Sequence, residues 1–163
     1  MKNRIDIISR DKAVRMINSG FPDHAAVISF YDPRGSRSFR ADSEPVDYSR
    51  VCRRVFSLAV YDIDPEILED YGLTYETYLP EADALAAFIA AAVDDGCHII
   101  CQCEYGQSRS AACAAAIREY YDKEGIAVFA DYRYYPNPMI FNKILAALSA
   151  RDPLGQIPGR KTE

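Results

Sequence analysis

CHIICQCEYGQSRSAACAAAI, residues 97–117, decides how this chain is read. Its first part, CHIICQ (97–102), is apolar enough to be a strand covered on both faces. Its last part opens SRSAACAAAIREYYDKEG (108–125), a predicted helix with small residues on nearly every side, as suits close packing on a sheet. Between them lies CEYGQSRS (103–110), with a thiol, a glycine and a fixed positive charge. The octapeptide leaves a strand at its carboxyl end and feeds a helix N-terminus.

Working outward, RIDIIS (4–9) reads as a short strand, and Ser9 can cap a helix over RDKAVRMIN. AAVISFYD (25–32) is a β-branched and aromatic strand stopped by Pro33. Residues 33–53 are polar with Pro and Gly, and read as a loop. RVFSLAVYD (54–62) is the next strand, and residues 66–78 read as a short helix and a turn. PEADALAAFIAAAVDDG (80–96) is the clearest helix: Leu85, Phe88, Ile89, Ala92 and Val93 form one apolar stripe. PNPMIFNKILAALSA (136–150) is a last amphipathic helix. Strands alternating with helices predict an α/β fold, a central mostly parallel sheet with helices on both faces. Ligands of such sheets sit beyond the carboxyl ends of the strands. The expected organisation is one domain over 1–150 and a loose tail over 151–163.

The octapeptide can bind an anion. A helix N-terminus offers unpaired N–H groups and a partial positive charge. A turn that aims successive N–H groups inward makes a nest for an oxyanion. Gly106 allows that turn a positive φ. Arg109 adds a planar fork suited to two oxygens of a phosphate. Cys103 lies at the centre of this positive bowl, and such surroundings favour thiolate over thiol. A Cys-x5-Arg pair arises easily by chance among 14 arginines and 5 cysteines. The glycine, the serine after the arginine and the strand-loop-helix context make the signal specific.

CEYGQSRS resembles the phosphate-binding loop of the cysteine-based protein tyrosine phosphatases, Cys-x-x-Gly-x-x-Arg-Ser/Thr. Its Gly-x-Ser-Arg-Ser ending is most similar to the dual-specificity branch. The resemblance implies that Cys103 is the nucleophile that takes the phosphoryl group. It implies that Arg109 binds the phosphate and the equatorial oxygens of the transition state, and that Ser110 stabilises the leaving thiolate. Glu104, Tyr105, Gly106, Gln107 and Ser108 would complete the phosphate cradle. Gln102 departs from the family, which usually has His there to orient the loop and acidify the thiol. Glu104 puts an acid on the rim, which works against a dianion. Tyr105 is bulkier than the small residue often found there.

Expelling an alkoxide or phenolate needs a proton donor. In the family this is an aspartate on a loop before the cysteine, and AVYDIDPE resembles that loop. Asp62 matches the acid position best. Asp64, held extended before Pro65, is the second candidate.

Other chemistries fit less well. The chain has two histidines, His24 and His98. His98 lies roughly 16 Å from Cys103 at 3.3 Å per residue, and His24 starts its own strand, which argues against a Cys-His pair. Cys97, Cys101 and Cys103 spread over roughly 20 Å of one strand face, too far for one tetrahedral zinc. Cys52, Cys97, Cys101 and Cys113 read as small buried hydrophobes. No metal and no cofactor is expected. A net charge of −5 gives no footing for nucleic acid or an anionic membrane surface. The first twenty residues lack the apolar core of a signal peptide and no segment is a membrane span, so a cytoplasmic location is expected. The expected function is phosphomonoester hydrolysis through a phosphocysteine, acting on protein phosphotyrosine or phosphoserine/threonine. A cysteine-type inositol-phosphate phosphatase and a non-catalytic phosphoresidue-binding module are the alternatives. A rhodanese-like sulfurtransferase loop is typically one residue shorter and lacks the Arg-Ser ending.

Overall fold

Each strand that the β-branched runs predict takes its place in one parallel sheet. A computed structural model describes residues 1–33 and 44–152. Its strands are β1 (Ile5–Ser9), β2 (Ala25–Tyr31), β3 (Val55–Ala59) and β4 (His98–Cys103), in the order β1-β4-β2-β3. The helices are α1 (Arg10–Ser19), α2 (Ala82–Asp94), α3 (Arg109–Asp122), α4 (Ile126–Ala130) and α5 (Pro138–Arg151). Two 3-10 turns, Pro65–Ile67 and Glu69–Tyr71, fill the stretch that reads as a short helix and a turn.

β4 is central, which is why it is apolar on both faces. Ile99, Ile100 and Cys101 are fully buried. Burying one such isoleucine stabilises the fold by about 1.5–3 kcal/mol. Ile99, Cys101 and Cys103 face α2, α3 and α5, in one core with Leu85, Ile89, Ile117 and Ile140. Ile100 faces the other way, with Val27, Ala13 of α1, and Val46, Tyr48 and Cys52 of the segment before β3. Both faces of the sheet are therefore covered. In α3 the five alanines Ala111, Ala112, Ala114, Ala115 and Ala116 are all completely buried. Only small side chains let that helix touch the sheet on one side and α4 and α5 on the others.

The register fixes what meets at one edge. Ser9 pairs with Cys103, Ser29 with Gln102, and Tyr31 with Ala59. The carboxyl ends of all four strands thus open onto the segment 103–110.

Two element ends depart from expectation by three residues, and one further element is unexpected. β3 ends at Ala59 rather than 62, because the chain leaves the sheet once the Val60 N–H bonds Tyr31 O. Asp62 therefore lies on a turn beyond the strand. α3 ends at Asp122, because Lys123 takes a left-handed φ of +61° and the Glu124 N–H turns back to Arg118 O. The short helix α4 has no counterpart in the sequence reading, since five residues carry too little periodicity. The residues from 153 onward, and 34–43 within the expected loop, lie outside the described residues.

Candidate active site

The segment 103–110 joins the last residue of β4 to the first turn of α3. Gly106 has φ +67°. A Cβ there would meet Ser9 N at 2.6 Å and Ile8 C at 2.7 Å, both backbone atoms that cannot yield. The end of β1 thus presses on the turn, and glycine is the residue that fits. The carbonyls of Glu104, Gln107 and Ser108 accept from the N–H groups of Arg10 (3.1 Å), Tyr135 (2.8 Å) and Ala112 (2.8 Å). A trans peptide points its N–H opposite to its C=O. The N–H groups of Tyr105, Ser108 and Arg109 are therefore turned away from those partners.

Cys103 is buried, and its Sγ lies 3.0 Å from Ser110 Oγ. A hydroxyl at that distance can donate to a thiolate. Glu104 is not the loose rim acid that its sequence position suggests. Its Oε2 accepts from Arg10 Nε at 2.7 Å, in an ion pair only 16–21% exposed. Arg10, the first residue of α1, thus offsets that charge and clasps the loop to β1. Tyr105 is 67% exposed on the rim.

Gln102 stands where the phosphatase loop that CEYGQSRS resembles usually has histidine, and the structure shows what it does there. It is fully buried. Its Nε2 donates to Cys103 O at 3.0 Å. A backbone carbonyl only accepts, which fixes the amide orientation. Its Oε1 then accepts from Ser29 Oγ (2.5 Å) and Tyr48 OH (3.0 Å). Burial holds the Tyr48 phenol far above its usual range, so it stays a donor. The amide is satisfied on both sides and supports the peptide of Cys103.

Arg109 is 4% exposed. Its Nη1 donates to Asp32 Oδ1 at 2.7 Å and to Val60 O at 2.8 Å. Its Nε is buried and has no hydrogen-bond partner among the described residues. Asp62 is exposed and tied to the loop. Its Oδ1 accepts from Ser108 Oγ at 2.7 Å and from Asn137 Nδ2 at 3.0 Å. The turn that carries it is braced from below, where the buried Tyr78 hydroxyl donates to Tyr61 O at 2.6 Å. Asp64 sits at the mouth of the first 3-10 turn and makes no side-chain cap.

The structure therefore brings Cys103, Arg109, Ser110 and Asp62 around one turn. Three residues that the sequence reading passes over join them. Asp32 was legible only as the end of a strand. Asn137 carries the Asn-Pro signal of a helix N-cap, and its Oδ1 does accept from Met139 N and Ile140 N. No sequence signal says that its amide also reaches Asp62. Arg10 follows a helix cap and looks like any surface residue.

The histidines are engaged elsewhere. His98 Nε2 lies 3.0 Å from Asp6 Oδ2, and His24 Nε2 lies 2.8 Å from Asp95 O. All five cysteines are buried free thiols. Burial pushes the Cys52 and Cys113 thiols above their usual range. Among the described residues no three His, Cys, Asp or Glu side chains converge on a metal-sized point, and no helix is long and apolar enough to cross a membrane.

No protein-family model and no curated protein sequence matches the chain. Solved structures do match in fold. Human DUSP28 is similar with a TM-score of 0.54 at 16% identity, over 91% of this chain and 94% of that one. Human tyrosine phosphatase-like serine/threonine/tyrosine-interacting protein gives 0.53 at 12% identity, over 88% and 86%. PTPMT1, solved with PI(5)P, gives 0.50 at 15% identity, over 91% and 94%. The chain has the α/β fold of the dual-specificity-phosphatase-like cysteine phosphatases.

Proposed function

We propose that this chain hydrolyses phosphomonoesters through a covalent phosphocysteine on Cys103, with protein phosphotyrosine as the main substrate and phosphoserine or phosphothreonine beside it. One observation carries the reading. A thiol 3.0 Å from a serine hydroxyl shares its turn with a buried arginine whose Nε has no partner among the described residues.

The residues take roles in two steps. The Cys103 thiolate attacks phosphorus, and the phosphorus–oxygen bond to the leaving group breaks. Arg109 and the loop N–H groups hold the equatorial oxygens, where charge is spread in a loose transition state. Asp62 gives its proton to the leaving oxygen. Two donors already occupy Oδ1, which leaves Oδ2 to carry that proton. Water then attacks the phosphocysteine, and Asp62 takes a proton from it. Inorganic phosphate departs, and the sulfur leaves as thiolate, stabilised by the Ser110 hydroxyl. No step draws on a metal ion.

Two neighbours suggest rivals. PTPMT1 was solved with a phosphoinositide, yet residues 104–108 here contain no lysine to meet additional phosphates. The serine/threonine/tyrosine-interacting protein is titled phosphatase-like, which keeps a binding module in view. One assay separates them. Purified protein should turn over p-nitrophenyl phosphate in the presence of chelator, and Cys103→Ser should abolish turnover while retaining tungstate binding. Tungstate binding by wild type without turnover would instead make the chain a binder. Turnover confined to inositol phosphates in a parallel panel would move the substrate class.

A further inference from the structure

We propose that Asp32 is the positioning residue that aims Arg109. By holding Nη1, it turns the Nε–Nη2 edge of the guanidinium toward the phosphoryl group. The inference rests on the phosphatase reading and deepens it.

A guanidinium presents five N–H bonds in one rigid plane. Its side edge, Nε with Nη2, carries two parallel N–H bonds that match two phosphate oxygens. Nη1 lies on the other flank with two hydrogens, and both are used. One goes to Asp32 Oδ1 at 2.7 Å and the other to Val60 O at 2.8 Å. That leaves the side edge as the half of the group for which the described residues supply no hydrogen-bond acceptor at Nε. Its Nε is buried in a side chain only 4% exposed, with no acceptor among the described residues. A buried donor on a charged group is costly to leave unmet. An oxyanion seated in the turn over Cys103 meets it.

The backbone explains why Asp32 reaches this place. It follows β2 directly, and β2 lies beside β4, with Ser29 opposite Gln102. Asp32 therefore emerges at the same sheet edge as the turn. Its side chain is 27% exposed, shielded enough to keep one geometry.

Asp32 exerts two effects of opposite sign. Its negative charge repels an oxyanion, and its oxygen aims the fork that binds one. Substitution separates them. Asp32→Asn keeps an oxygen acceptor for Nη1 and removes the charge. Asp32→Ala removes both. If aiming dominates, Asn recovers most of what Ala loses. If charge dominates, the two variants behave alike. A third role, proton donation by Asp32 itself, would show as dependence on the leaving group.

The experiment measures kcat and KM for aryl phosphates with good and poor leaving groups, and tungstate affinity by calorimetry, in wild type, Asp32→Ala and Asp32→Asn. Asp32→Ala should lower kcat/KM about tenfold, the scale expected for a misplaced binding group, by the same factor for every leaving group. Asp32→Asn should recover most of that loss. Tungstate should bind Asp32→Ala at least about fivefold more weakly than Asp32→Asn. Equal tungstate affinity in the two variants, or a loss that grows with the basicity of the leaving group, would overturn the assignment. Wild type that binds tungstate without turnover would sink the phosphatase reading alone, and the Ala-to-Asn split in affinity would still decide for or against Asp32. Wild type that binds no tungstate would sink both.

Discussion

The two ends of β4 carry the same three kinds of residue and do different things with them. At the carboxyl end stand Cys103, Arg109 and Asp32. At the amino end stand Cys97, Arg54 and Asp95. Cys97 Sγ lies 3.2 Å from Arg54 Nη1 and 3.7 Å from His24 Nε2, so by residue type the amino end looks better equipped for thiol chemistry. The backbone decides otherwise. Cys97 follows the last turn of α2, where its N–H bonds Ala92 O, at a helix end with partial negative charge. Cys103 precedes the first turn of α3, at a helix end with partial positive charge. Arg54 pairs with Asp95, both about half exposed, so solvent screens the pair. Arg109 is buried, and its Nε has no partner among the described residues. On the proposed reading, the thiol, arginine and acid at the carboxyl end make an oxyanion site because there a strand ends in a tight turn and a helix begins.

That contrast can be broken by substitution. The largest effect belongs to the nucleophile. Cys103→Ser should cost about 10³-fold or more in kcat, whereas Cys97→Ser should stay within about twofold, read by hydrolysis of p-nitrophenyl phosphate. Next comes the acid. Asp62→Asn should slow an aryl phosphate with a poor leaving group by about 10², and slow an activated fluorinated one much less. Asp64→Asn should do little, and a leaving-group dependence in that variant would move the acid to position 64. Third are the arginines. A point charge does not replace a two-pronged fork, so Arg109→Lys should lose at least about tenfold in kcat/KM, or roughly 1.4 kcal/mol. Arg54→Lys should stay within about twofold.

The smallest effect is a pH dependence of stability. Burial raises the Cys52 and Cys113 thiols in the folded chain. A raised folded-state pKa means that the folded state holds the proton more tightly. The stability that this brings is present below the unfolded thiol pKa of about 8.5 and is lost as pH rises above it. The denaturation midpoint should fall through that window, and Cys52→Ala should flatten the fall. In alkylation at neutral pH, Cys52 and Cys113 should stay unmodified until the protein unfolds.

Local sequence carried the fold well where one element's own pattern decides it. The apolar run of β4, the stripe on α2 and the Ser9 cap are all properties of short segments. The octapeptide was legible for the same reason, since thiol, glycine and arginine sit within eight residues. What stayed hidden depends on tertiary register. Asp32 meets Arg109 because β2 lies beside β4. Asn137 meets Asp62 because α5 begins over the turn after β3. Gln102 reads as the loss of a histidine until Ser29 and Tyr48 are seen to satisfy its amide. Glu104 reads as a misplaced charge until Arg10 reaches it from the start of α1.

The central claim is that Cys103 takes the phosphoryl group, and trapping tests it most directly. On the proposed mechanism Asp62→Asn should slow breakdown of the intermediate, so that variant should be mixed with an activated aryl phosphate, quenched under conditions that preserve a thiophosphate bond, and digested for mass spectrometry. The account predicts a phosphoryl-sized mass increment on the peptide carrying Cys103 and none on the peptides carrying Cys52, Cys97 or Cys113. Steady turnover with no phosphorylated cysteine, or with the increment on another residue, would contradict it.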